Sequence, residues 1–199
     1  MLVFWKENLV LLALPKTGTS ALEAALRARA DVVFENPPEV KHIPMFRYGR
    51  FLRPLFRTID GNRQLETMAL VREPISWLSS WYRYRGRDDL AGHPNSTRGI
   101  SFDQFVEAYL ADPRPGFANV GSPRKFVSNK QGKVGVKHLF QYEQIELAQA
   151  FLEERLDITI ALDHRNVSPR QDLSLAPDIA ARLRRDRPEE FELWSKARR

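Results

Sequence analysis

LVLLALPKTGTSALEAAL, residues 9–26, sets an apolar run (residues 9–14) against Pro15, then Lys16-Thr17-Gly18-Thr19-Ser20. A helical pattern follows at once, with Leu22, Ala25 and Leu26 on one face. The order predicts a strand, a tight turn and a helix. The first-turn N–H groups of such a helix have no intrahelical acceptor, and the positive end of the helix dipole lies behind them. A place of that kind binds an anion, usually a phosphate. Lys16 adds a mobile positive charge, and the hydroxyls of Thr17, Thr19 and Ser20 add donors. Gly18 lets the backbone come close without a Cβ in the way. The nucleotide-triphosphatase pattern GxxxxGK followed by Ser or Thr is absent, since here the lysine precedes a single glycine. On these residues alone a second reading stays open, in which the Thr and Ser only cap the helix.

Residues 67–73, TMALVRE, repeat the arrangement. They read as a buried strand ending in a charged pair, and Pro74 opens a helix at the position that tolerates it. The helix continues through ISWLSSWYRYR. Arg72 thus stands at the carboxyl end of a strand, where open α/β sheets place their ligands. Ser80 lies on the following helix, and Ser76 precedes it by one turn on the same face. An arginine fork and a helix serine can grip one phosphate together.

At these two segments the chain resembles the PAPS-dependent sulfotransferases, on the side of the bacterial and carbohydrate-type members. In that family a loop like PKTGTS holds the 5′-phosphosulfate of 3′-phosphoadenosine 5′-phosphosulfate (PAPS). A strand-to-helix segment with arginine, proline and a later serine holds the 3′-phosphate. The resemblance therefore implies that Lys16, Thr17, Gly18, Thr19 and Ser20 bind the first group, and Arg72 and Ser80 the second. Trp81-Tyr82 stands where the family has aromatic residues after the serine. Residues 126–143 resemble the hairpin that ends in an aromatic-Glu pair, here Tyr142-Glu143. Residues 157–168 resemble a late strand and the Asn-x-Ser after it, here Asn166 and Ser168. The late RKGxxGxxK-like segment of the cytosolic members is absent, and Arg124 and Lys125 stand as its substitutes. The implied fold is α/β, a three-layer sandwich with a central, mostly parallel sheet like that of P-loop nucleotide kinases. PAPS would be a co-substrate, and transfer needs no metal.

Composition narrows the choices. The chain has 199 residues with 43% hydrophobic and 28% charged side chains, ordinary for one soluble domain, which the resemblance implies is a single sulfotransferase-like domain over residues 1–199. No apolar run approaches the roughly 18 residues that span a membrane. Lys6 and Glu7 interrupt the N-terminal apolar segment, which reads as the first strand rather than a secretion signal. There is no cysteine, hence no disulfide, thiolate metal site or cysteine nucleophile, in keeping with a cytoplasmic location. No His, Asp or Glu pattern has metal-ligand spacing. A net charge of +6 and a pI near 9.8 suit an anionic ligand. The C-terminal arginines, among them Arg182, Arg184 and Arg185, alternate with Glu189, Glu190 and Glu192 and read as a solvated helix face over residues 176–197. Nucleic acid is accordingly not the expected partner.

Sulfuryl transfer needs a base for the acceptor, in-line positioning and stabilisation of the departing phosphate. Lys16 serves the last two. The candidate base is His42, in Val40-Lys41-His42-Ile43-Pro44, since it follows the strand candidate at residues 31–35 and should emerge beside the anion loop. His93 is the alternative; His138 lies in a strand and reads as structural, and His164 could line the site. Glu73 reads as a partner of Arg72 or a helix cap, and Glu23 is a further possible base. The segments 45–57 and 86–99 are expected to shape the acceptor pocket, for a small molecule or a glycan. Two other functions compete: a nucleotide or small-molecule kinase, and a nucleic-acid-binding protein. The kinase would need an acidic magnesium ligand at a strand end, where this chain has Arg72-Glu73.

Overall fold

The N-terminal apolar segments Leu2–Phe4 (β1) and Leu9–Leu11 (β2) pair antiparallel, because only residues 5–8 separate them. A parallel pair would need a crossover of a dozen residues or more. The computed structural model describes residues 1–59, 61, 63–161 and 173–199. The sheet is completed by Val32–Val33 (β3), Glu66–Val71 (β4) and His138–Gln141 (β5), in the order β3-β1-β2-β4-β5. β4 runs parallel to both β2 and β5, while β3 runs antiparallel to β1. The expectation of a mostly parallel sheet is corrected: the sheet is mixed, and only its β2-β4-β5 half is parallel. The carboxyl ends of those three strands form the edge that carries the two phosphate-type motifs.

The helices follow in chain order. They are α1 (Thr19–Leu26), α2 (Pro38–Lys41), α3 (Met45–Arg47), α4 (Arg53–Ile59), α5 (Pro74–Arg85) and α6 (Phe102–Leu110). After them come α7 (Pro123–Phe126), α8 (Ile145–Leu156), α9 (Pro177–Asp186) and α10 (Pro188–Lys196). Alternation along the strands divides the core. Val3, Val10, Leu12, Ala69 and Val71 face Met45, Tyr48, Phe56 and Leu193. Leu2, Leu9, Leu11, Met68 and Leu70 face Leu22, Leu26, Ala148 and Leu152. Helices therefore cover both faces, which makes three layers. Trp77 and Leu78 of α5, Phe105 and Tyr109 of α6, and Leu183 of α9 form a third cluster beside the sheet.

Local signals are followed closely in several places. Ser101 and Gln104 form the reciprocal cap of α6: Gln104 N donates to Ser101 Oγ at 3.2 Å, and Ser101 N to Gln104 Oε1 at 2.8 Å. Elsewhere proline moves the boundaries. Residues 37–44 contain one helical turn, α2, which Pro38 opens at a position needing no N–H. The helical segment that ends at Ile59 starts at Met45. A π-turn (Tyr48–Leu52) joins α3 to α4 directly ahead of Pro54, whose ring and missing N–H a regular helix would not accept. The single helix expected over 176–197 is two, because Pro188 breaks it at Arg187. Residues 157–161 are not a strand; Asp157 instead ends α8 in the left-handed conformation. Beside β5 the chain's end makes one bridge, Arg198 to Phe140. The hairpin around Gly132 reduces to one bridge, Ser128 to Val134. Asn166 and Ser168, and with them His164, lie outside the described residues. Among the described residues no helix is long and apolar enough to cross a membrane.

Candidate anion-binding site

β2 delivers the chain into the loop at residues 15–18 and α1 takes it away. Lys16 has φ +69° and Gly18 φ +71°, both left-handed. For a lysine that conformation costs about 1–2 kcal/mol, so the surroundings must hold it. They do so through the β4-to-α5 segment: Trp77 Nε1 donates to Pro15 O at 3.0 Å, and Arg72 Nη1 to Lys16 O at 3.4 Å. Gly18 is the N-cap of α1, with no side-chain cap bond and no acidic residue in the first turn. Ala21 N turns back to Gly18 O at 3.1 Å, and the helix start keeps the amides of Thr19 and Ser20 for another acceptor. Ser20 is exposed there, and Thr19 is buried. Thr17 departs from expectation. It is buried, and its hydroxyl donates to Leu14 O at 2.8 Å, so that proton closes the turn instead of reaching a ligand.

Arg72 leaves the end of β4 half-buried. Its Nε donates to Ser76 Oγ at 2.8 Å, so the serine in direct contact is Ser76, one turn ahead of the expected Ser80. Ser80 is half-buried on the same helix face. The guanidinium lies over the Tyr142 ring, 4.7 Å from its centroid. The same ring presses on the loop: a Cβ placed on Gly18 would come within 2.6 Å of Tyr142 Cε2. Tyr142 therefore wedges between the two motifs and sets their spacing. Glu73 caps α5, accepting from Ser76 N at 2.7 Å, as the local pattern suggested. Glu143 accepts from Glu73 N at 2.8 Å and from Trp194 Nε1 at 3.0 Å, which ties the ends of β4 and β5 to α10.

Charge gathers at this point. The Lys16 ammonium lies 4.1 Å from the Tyr84 ring centroid and 5.6 Å from that of Trp81, held by π faces with no described carboxylate paired to it. Burial, then the positive charges of Arg87, Arg72 and Arg83, lower its pKa from 10.5 to about 8. Burial also lowers the pKa of Arg72, against the opposing pull of Tyr142, Glu143 and Glu73. Arg83 Nη1 donates to Ser79 Oγ at 2.6 Å, and Arg87 lies 4.8 Å from the Tyr84 ring centroid. Arg87, Arg72 and Arg83 thus gather about Lys16, in the turn that leads into α1. Arg83 and Arg87 escaped the sequence reading. The available signal was spacing, since Ser76, Ser80 and Arg83 recur at four and then three residues along α5, which is one face of a helix.

His42 ends α2, half-buried, with Nδ1 2.7 Å from Ala13 O in the segment between β2 and the loop. A carbonyl only accepts, so Nδ1 carries the hydrogen and Nε2 keeps its lone pair. Burial holds the ring's pKa below the ordinary 6.5, against the bond to Ala13, so the ring is neutral. The other candidates are otherwise engaged. Glu23 pairs with the N-terminal ammonium at 2.9 Å and with Lys41 at 2.6 Å. His93 lies in an exposed loop, where its Nδ1 accepts from Asn95 N at 3.1 Å. His138 is buried, with Nε2 2.8 Å from Glu66 Oε2. That pair sits at the amino ends of β4 and β5, on the order of 20 Å from Arg72 by strand rise, and is structural. Arg124 donates to Gly132 O at 3.2 Å and its backbone N to Glu190 at 2.9 Å, contacts that involve neither Arg72 nor Ser76. Among the described residues no group of three or more His, Cys, Asp or Glu could hold a metal ion.

No protein-family model matches this chain, and neither a curated protein nor a solved structure does.

Proposed function

We propose that this chain is a PAPS-dependent sulfotransferase, which moves a sulfuryl group from 3′-phosphoadenosine 5′-phosphosulfate to a hydroxyl or amine of a small-molecule or carbohydrate acceptor. One observation carries the reading. The PKTGTS loop and the Arg72 segment, distant in sequence, meet at one sheet edge, with Arg72 Nη1 3.4 Å from Lys16 O. A doubly phosphorylated nucleotide needs two anion sites that open into one cleft, and a kinase loop supplies only one. The surplus of positive charge from Lys16, Arg72, Arg83 and Arg87 suits such a ligand.

The residues divide the work as follows. Amides at the start of α1, with Lys16, hold the phosphosulfate end. Arg72, Ser76 and Ser80 hold the 3′-phosphate. His42, with its hydrogen on Nδ1, takes the acceptor's proton at Nε2. The acceptor oxygen or nitrogen then forms the new bond to sulfur. As the bond between sulfur and the bridging oxygen breaks, its electron pair stays on the 5′-phosphate oxygen. Lys16 meets that growing charge with an ammonium already close to giving up its proton.

Calorimetric titration with 3′-phosphoadenosine 5′-phosphate, ATP and AMP tests the reading. The bisphosphate should bind most tightly, and label should pass from PAPS to an acceptor. A preference for ATP would replace the proposal with a kinase, and no affinity for any of the three would end it.

A further inference from the structure

The α3-to-α4 segment carries a surface that the anion site does not use. Met45, Tyr48 and Phe56 face the sheet and are buried, with Leu52 packed partly against them. On the flank of the same helix, Phe51, Leu55 and Ile59 recur every fourth residue and are 58%, 52% and 65% exposed. Phe46, 42% exposed, stands five residues before Phe51, and the π-turn between them absorbs the extra residue. Together these side chains show water on the order of 400 Å² of apolar surface, taking roughly 200 Å² for each whole side chain. Single exposed residues such as Leu147 need no explanation, but a continuous stripe of this size marks an interaction surface.

The charges beside it identify the partner. Residues 45–59 hold Arg47, Arg50, Arg53 and Arg57 and no acidic residue. Arg47 and Arg50 are exposed, each within 6 Å of an exposed phenylalanine ring, at 5.7 Å from Phe46 and 5.2 Å from Phe51. No described carboxylate pairs with any of the four. A second copy docking here by two-fold symmetry would bring the same arginines face to face, which repels. An acidic polysaccharide would satisfy the arginines and leave Leu55 and Ile59 in water. An anionic bilayer satisfies both, since its headgroups meet the guanidinium groups and its acyl boundary takes the apolar stripe. We infer that the α3-to-α4 face seats this protein on an anionic lipid surface.

The test is co-sedimentation of the full chain with vesicles of equimolar phosphatidylcholine and phosphatidylglycerol, against phosphatidylcholine alone. Binding to the anionic vesicles is expected, weakening as salt rises. Arg47→Gln and Arg50→Gln should each weaken it about fivefold. The double variant Leu55→Ser with Ile59→Ser, folded by circular dichroism because both side chains face water, should abolish it. If that variant fails to fold, the arginine variants and the salt series decide. No binding to anionic vesicles overturns the inference, as does binding that the serine variant retains. A dimer in gel filtration that the serine variant dissociates would assign the face to a second copy. Retention on an acidic polysaccharide without vesicle binding would overturn it too. None of these readouts depends on sulfuryl transfer, so the two proposals fail separately.

Discussion

The lowered pKa of Lys16 makes anion binding depend on pH in a way that only this site explains. With the ammonium at about 8, about nine-tenths of Lys16 side chains are charged at pH 7 and about one-tenth at pH 9, a factor of ten per pH unit beyond the pKa. The phosphates of 3′-phosphoadenosine 5′-phosphate are already dianionic there, since their second pKa is about 6. His42, whose pKa lies below 6.5, is neutral across the range. The dissociation constant measured by calorimetry should therefore rise about tenfold from pH 7 to pH 9, or about 1.4 kcal/mol. The bound phosphate favours the charged lysine, so binding at pH 9 should take up a proton, seen as a dependence of the heat on buffer ionisation. Lys16→Arg should show neither effect, because its guanidinium stays charged. Stability should move the other way. The folded-state pKa lies below the ordinary lysine value of 10.5, so the unfolded chain binds more protons between pH 8 and 10.5. Relative to Lys16→Met, stability then rises with pH through that window. A flat affinity profile in the wild type, or an equal slope in Lys16→Arg, would refute the reasoning.

Other predictions concern the remaining parts of the site. Arg72→Ala should weaken binding of the bisphosphate by about 1.5–3 kcal/mol, the range for a charge-assisted hydrogen bond, with unchanged calorimetry counting against its phosphate role. Gly18→Ala combines a left-handed backbone with a 2.6 Å approach to Tyr142, so it should lower stability by about 1–2 kcal/mol in thermal melts and displace the loop; an unshifted melting temperature would show that Tyr142 is not packed there. His42→Ala should cut turnover by about 10²–10⁴ and leave bisphosphate affinity within error, and a wild-type rate would pass the role to another group.

Much of the scaffold was legible because its signals are local. The strand-turn-helix at residues 9–26, the proline-opened α5 and the Glu73 cap each depend on hydrogen bonds or periodicity within a few residues. The two strand-to-helix units at residues 9–26 and 67–85 are those of an α/β chain, the class that the resemblance also implied. The mixed sheet was not legible as such: residues 1–14 show two apolar segments, and only the turn at residues 5–8 decides that they pair antiparallel.

Sequence by itself determined which residues could carry charge and hydroxyls to a strand-to-helix turn, and that no GxxxxGK loop competes. The tertiary structure decided which of them meet. The bonds from Thr17 to Leu14 and from Arg72 to Ser76 span only three and four residues, whereas long-range packing set Tyr142 between Gly18 and Arg72. It also buried Lys16 and gathered Arg87, Arg72 and Arg83 about it, which together lower its pKa, and left Phe51, Leu55 and Ile59 facing water. Those outcomes depend on how elements far apart in the chain share one core. A side chain's partner across that core is fixed by the packing of every layer beneath it, and no short stretch of sequence encodes that.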